Sequence, residues 1–291
     1  MYLVLHAGVH ATDEDRLIKC LLKNSEALAA RGVAVPGPSR YRRLIRDTLH
    51  AMADGELAAD ARSVLLEAIL DGEAPERVIL SNDNFFSVPK LAVGRGMFYP
   101  GAEVKLQRLR RLFPQDRIEL CFALRNPATY LPATYALAPD TDLATFLDGN
   151  EPRRLLWSEL LTRITTAVPD IAVTVWCNED TPLIWAHLIR ELAGLDPATK
   201  ITGGFDLLSE IMSPAGMQRF RAYCNKHRVM TELQKRRVIS AFLDKYALDD
   251  AIEEEVDLPG WTQETVQQLT DIYEEDIRRV AGIPGVTLIT P

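Results

Sequence analysis

MYLVLHAGVHATDEDRL (residues 1–17) decides the fold class. Residues 2–5 are an apolar run of the length of one buried strand. Gly8 then opens a turn, and the pattern predicts a helix from about Asp13. A strand that turns through Gly into a helix N-terminus is a common anion cradle, because free backbone N–H groups and the helix dipole both favour negative charge. Here the first helical turn holds Asp13, Glu14 and Asp15. Thr12 stands at the N-cap, and Asp15, three residues on, closes a variant capping box. The helix end is therefore expected to satisfy itself with its own carboxylates, and a phosphate arriving there would meet three like charges.

Working outward, apolar runs at 2–5, 33–35, 77–80, 118–124 and 171–176 read as strands. Helical patterns at 13–31, 42–53, 56–70, 103–113, 153–168 and 182–193 separate them. This alternation predicts an α/β fold: a parallel sheet of about five strands flanked by helices. Ligands in such sheets bind beyond the C-terminal strand ends, here 6–10, 36–43, 81–86, 125–127 and 178–181. From about Gly203 helices alone are expected, the first opened by Ser213-Pro214, the second over 229–246, the third capped by Thr262. The division is thus a core over 1–202 and a helical C-terminal extension over 203–291, packed on the core, with Gly203-Gly204 as its hinge. The acidic run 249–257 reads as a solvated surface.

A net charge of −8 argues against broad nucleic-acid binding. No apolar run approaches the roughly 20 residues of a membrane helix, and nothing at the N-terminus reads as a signal peptide. Cys20, Cys121, Cys177 and Cys224 are far apart, which fits reduced thiols and a cytoplasmic protein.

With the strand ends placed, the chain resembles the bacterial sulfotransferase family, whose fold is of the P-loop type. Those proteins often begin H-x-G-x-H-K-T-G-T-T-x-L after a strand, and His6, Gly8, His10, Thr12 and Leu17 fall in that register. CFALRNPATYLPATY (residues 121–135) looks like the family's R-N/D-P segment, ILSND (79–83) like its S-S-E segment, and LPGWTQETVQQLTDIYEEDIRRVAGIPGV (258–286) like its closing Trp turn and Y-x-x-D helix. The resemblance implies a sulfate donor, 3′-phosphoadenosine 5′-phosphosulfate (PAPS), or its product adenosine 3′,5′-bisphosphate (PAP). It implies donor contacts from Gly8, His10, Thr12 and Arg125, and Arg16 could swing back from the next helical turn. Arg125 matches the phosphate-contacting Arg; its partner Ser falls on Ala133, with Thr134 one step beyond, and Pro132 is expected to interrupt the helix that presents it. Arg43, from the cluster Arg40, Arg42, Arg43 and Arg46, together with Ser81 and Asp83, would line the substrate pocket.

The departures are concentrated in the loop. The family's Lys falls on Ala11, its Gly on Asp13, and its two hydroxyl residues on Glu14 and Asp15. Removing one preorganised donor typically costs about 3 kcal/mol of barrier, so the losses here predict a degraded donor site. Two functions follow. One is an altered or inactive binding protein on the sulfotransferase scaffold, with a protein partner. The other is an active PAPS-dependent enzyme sulfating a hydroxyl or amine acceptor. His50 and Glu56 are the local base candidates, and neither falls in a matching motif. His6, His10, Asp13 and Asp15 lack the one-face spacing of a metal site, and none is expected.

Overall fold

Period-two alternation builds the sheet. In β1 (Tyr2–His6), Leu3 and Leu5 join one hydrophobic cluster and Val4 the other, so both faces of the strand are covered. The computed structural model describes residues 1–55, 57–252, 256 and 258–291, with residue 54 as main chain alone. Glu56 and part of the acidic run 249–257 therefore lie outside the described residues.

The further strands are β2 (Val33–Ala34), β3 (Arg77–Ser81), β4 (Val93–Gly94), β5 (Met97–Phe98), β6 (Arg117–Leu124), β7 (Ala172–Cys177) and β8 (Val286–Ile289). The helices are α1 (Arg16–Leu22), α2 (Ser25–Ala29), α3 (Pro38–Asp54), α4 (Ala61–Leu70), α5 (Ala102–Leu112), α6 (Pro127–Ala136), α7 (Leu143–Leu147) and α8 (Trp157–Ala167). They continue with α9 (Thr181–Ala193), α10 (Asp206–Ile211), α11 (Pro214–Lys226), α12 (Glu232–Tyr246), α13 (Asp249–Ile252) and α14 (Gln263–Val280).

The main sheet has six strands in the order β2-β3-β1-β6-β7-β8, all parallel. The chain leaves β1 toward β2 on one side and β6 toward β7 on the other. The switch point of the sheet thus lies at the C-terminal ends of β1 and β6, the expected ligand position.

Three sequence expectations change, and one element is added. The sheet has a sixth strand, because VTLI after Gly285 pairs with β7; the C-terminal region is therefore not helical alone. Four residues at a sheet edge are too few to stand out by periodicity. The helix expected over 13–31 is two helices, and it begins at Arg16 because Glu14 and Asp15 are left-handed, with φ of 51° and 63°. Helix α6 runs through Pro132. Proline there removes one backbone hydrogen bond, while burial of Tyr130, Leu131 and Pro132 holds the helix. Finally, β4 and β5 form a hairpin around Arg95-Gly96, both at positive φ as a type I′ turn requires.

Helices α10, α11 and α12 gather around a separate small cluster of Leu208, Met212, Met217, Phe220 and Ile239. Helix α14 instead packs on α6 and α8 beside the main core.

Candidate functional site

The loop from Ala7 to Asp15 joins β1 to α1 and is closed by its neighbours. Gly8 has φ +84°, and a Cβ there would lie 2.6 Å from the Cα of Asp83. Glycine is therefore required both for the turn and for the close approach of the loop after β3. His10 is buried: its main-chain N–H donates to Tyr99 Oη at 3.2 Å, its Nε2 faces the Ser87 carbonyl at 3.0 Å, and its Nδ1 lies 2.9 Å from Tyr99 Oη. A carbonyl only accepts, so Nε2 carries the proton and Nδ1 accepts from Tyr99. Tyr130 Oη, 2.7 Å away, then donates to Tyr99. Burial holds the His10 pKa below its ordinary value, consistent with this neutral chain of bonds.

The loop backbone is strained. Ala11, Glu14 and Asp15 are all left-handed without being Gly, which costs roughly 1–2 kcal/mol per residue. The capping arrangement differs from the expected one. Thr12 Oγ1 donates to the Val9 carbonyl at 2.6 Å, and Asp13 Oδ1 accepts from the Leu17 N–H at 2.9 Å. Asp13, not Thr12, satisfies the helix end, because the left-handed turn at 14 and 15 starts the helix three residues later than expected. Asp13 is 9% exposed. Burial pushes its carboxyl up to about 7, with Asp15 adding to the rise and the bond from Leu17 opposing it.

Arg42 holds the outer side of the loop. Its guanidinium pairs with the Asp15 carboxylate, with Nη1 at 3.3 Å from Oδ2, while Nε donates to the Ser81 carbonyl at 2.8 Å. Tyr41 Oη donates to the same carbonyl at 2.9 Å and accepts from the Ser81 N–H at 2.8 Å. Below this layer His6 Nδ1 lies 2.9 Å from Ser81 Oγ, and the ring stacks on Trp176 at 6.0 Å between centroids. Burial, with Arg42 adding to it, lowers the His6 pKa to about 4. Buried and neutral, His6 packs beneath the loop against Ser81 and Trp176.

On the inner side Arg125 Nη1 donates to the Ala11 carbonyl, and Nε donates to Thr129 Oγ1 at 3.1 Å. Asn126 caps α6, its Oδ1 accepting from the Ala128 N–H at 3.0 Å, with Pro127 first in the helix. The Asn126 N–H donates to Glu179 at 2.8 Å. Tyr273 Oη donates to Glu179 at 2.9 Å and approaches the Leu124 carbonyl at 3.1 Å. Asp276 accepts from the N–H groups of Trp157 at 2.7 Å and Ser158 at 3.1 Å, and from Ser158 Oγ. The Y-x-x-D motif thus docks α14 against the ends of β6 and β7 and caps α8.

Of the residues singled out in the sequence, Gly8, His10, Thr12, Ser81, Asp83 and Arg125 come together around the loop. Arg16 meets the loop at Glu14, at 3.1 Å, while its Nε meets Glu210 at 2.8 Å, and with Glu14 it lines a separate cavity of about 480 Å³ shared with Lys19, Lys23 and Asp206. Thr134 is fully buried inside α6. Arg43 has an 85% exposed side chain and pairs with Asp47. One residue's rotation along α3, about 100°, turns Arg42 and not Arg43 toward the site. His50 is exposed on the same helix. Arg42, Tyr41, Tyr99 and Glu179 were not singled out individually as site residues, since the contacts that matter span 27 to 94 residues. Among the described residues no group of three or more His, Cys, Asp or Glu gathers to hold a metal, and no helix is long and apolar enough to cross a membrane.

No family model matches the sequence, and no curated protein matches it. Among solved structures, a sulfotransferase from Alicyclobacillus acidocaldarius is similar over 83% of this chain and 98% of that one, at 12% identity and a TM-score of 0.36.

Proposed function

We propose that this chain is a sulfotransferase-like scaffold whose donor loop has been converted into a closed structural turn, and that it works as a non-catalytic binding protein. The observation that carries this is the internal engagement of the loop: Asp15 holds Arg42, Asp13 holds the Leu17 N–H, and the Ala11 carbonyl holds Arg125. A donor phosphate would have to displace these partners and approach three acidic side chains, with Ala11 where the sequence pattern of the resembled family has its Lys. Losing that cation alone removes transition-state stabilisation of about 3 kcal/mol or more.

Calorimetry with PAP at low salt tests the reading. The wild type is expected to show no binding up to millimolar PAP. The variant carrying Ala11→Lys, Asp13→Gly, Glu14→Thr and Asp15→Thr is expected to gain it, since Arg42 is released and the acidic side chains are gone. Micromolar binding by the wild type would sink the proposal.

That result would favour the second reading, an active PAPS-dependent sulfotransferase acting on a hydroxyl or amine. The observation in its favour is that two guanidinium groups, Arg42 and Arg125, reach the loop from opposite sides. Arg125→Ala should then abolish PAP binding.

A further inference from the structure

A second feature lies far along the chain and does not depend on the β1 loop. Helices α11 and α12 form an antiparallel hairpin, held by its inner aromatic packing: Phe220 meets Phe242 at 5.4 Å, and Ile239 is buried beside them. A full capping box, Thr231 with Gln234, fixes the start of α12. The turn between the helices is therefore anchored at both ends.

The charge of this hairpin is opposite to that of the chain. Residues 214–246 carry eight Lys and Arg against two carboxylates, in a protein of net charge −8. One carboxylate, Glu232, is already taken by Arg190 at 3.1 Å and Lys235 at 2.7 Å. Arg228 Nε donates to the Asn225 carbonyl at 3.3 Å. Among the described residues no carboxylate lies within ion-pair distance of Lys226, Arg228 or Arg237. These three cations rim a groove of about 740 Å³ that is also lined by Tyr223, Val229, Met230 and Val238. Val229 is 98% exposed, and Met230 and Val238 are half-buried.

We propose that this groove docks an acidic peptide segment of a partner protein, one in which Asp or Glu residues flank an apolar side chain. The carboxylates meet the cationic rim, and the apolar side chain covers the Val229, Met230 and Val238 surface. Both halves of the groove then find complements. A phosphate backbone would satisfy the cations and leave the apolar lining uncovered. A flat bilayer would touch the exposed Val229 without reaching the half-buried Met230 and Val238, and the acidic remainder of the chain would oppose an anionic membrane. Small contacts of this kind bind weakly, and rim charges act through steering and salt dependence.

The test uses the full chain and a fluorescent peptide of about ten residues, roughly 33 Å when extended, alternating Glu with Leu and Phe. Anisotropy is expected to give a micromolar Kd that weakens with salt as the Debye length shrinks. Arg228→Glu with Arg237→Glu should weaken binding at least tenfold. Val229→Asp, at a fully exposed position that cannot disturb packing, should weaken it as well. A peptide with Ser in place of Leu and Phe should bind at least tenfold more weakly, whereas a charge-only site would hold both equally. The proposal is overturned if the peptide fails to bind at millimolar concentration or if the charge reversals leave Kd unchanged. It is also overturned if phosphatidylserine vesicles or duplex DNA bind where the peptide does not. Concentration-dependent dimerisation abolished by Arg228→Glu would equally overturn it, assigning the groove to a second copy of the chain.

Discussion

Asp13 and His6 sit within one loop and strand end, and burial pushes them in opposite senses. Asp13 remains protonated to about pH 7, whereas an unfolded chain releases that proton near 3.8. Its contribution to stability is therefore lost as pH rises between those values and is constant above 7. The loss totals on the order of 4 kcal/mol. Asp13→Asn keeps the acceptor for Leu17 and removes the ionisation, so its stability advantage over wild type should grow by about 3 kcal/mol between pH 5 and pH 8. Urea unfolding at both pH values measures this, and an advantage independent of pH would exclude a buried acid at 13. His6, lowered to about 4, loses stability as pH falls from 6.5 toward that value, on the order of 3 kcal/mol in total. The two profiles offset each other in the wild type, so Asp13→Asn should also expose a stability that rises with pH between 4 and 6.5. At Gly8, Ala would place its Cβ 2.6 Å from the Asp83 Cα at a φ of +84°. Gly8→Ala should cost about 3 kcal/mol or more by chemical denaturation; a neutral effect would mean the two loops are not packed together.

Among the elements, α14 depends on two side chains one turn apart. Asp276 is 1% exposed and accepts three hydrogen bonds from the start of α8. Asp276→Ala would leave buried donors unmatched and should destabilise the protein by about 3 kcal/mol. Tyr273→Phe removes the bond to Glu179, whose carboxyl burial already raises, and should cost about 1–2 kcal/mol. Thermal melts rank them: if Tyr273→Phe proved the more damaging, the cap on α8 would not be the main anchor of α14. Because β8 follows α14 directly and pairs with β7, loosening α14 also weakens the sheet edge.

Across the whole molecule, cooperativity should be uneven. The strands β1, β3, β6 and β7 are covered on both faces by two large clusters, whereas α10, α11 and α12 share a small one. Local opening follows buried apolar contact. Amides of α11 and α12 should therefore exchange through a lower-energy opening than those of β1 and β6, as read by hydrogen–deuterium exchange. Equal protection in both would mean the hairpin unfolds only with the core.

Short-range signals were readable in the sequence alone. The alternation of apolar strands with helical patterns set a parallel α/β sheet, and local capping chemistry marked Ser213-Pro214 and Thr262 at their helix starts. These depend on residues within a turn of one another. The pattern of residues 1–17 located the loop between the first strand and the first helix. Tertiary structure decided what lay beyond that range. It chose Arg42 over Arg43 because only one side of α3 faces Asp15, and it made a buried Asp13 the acceptor at the helix end where Thr12 was expected to cap it. It sent Arg16 to Glu210, and added β8 from a four-residue run too short to carry a period. In each case the deciding partner is distant in sequence and is brought near only when the sheet and its covering helices close.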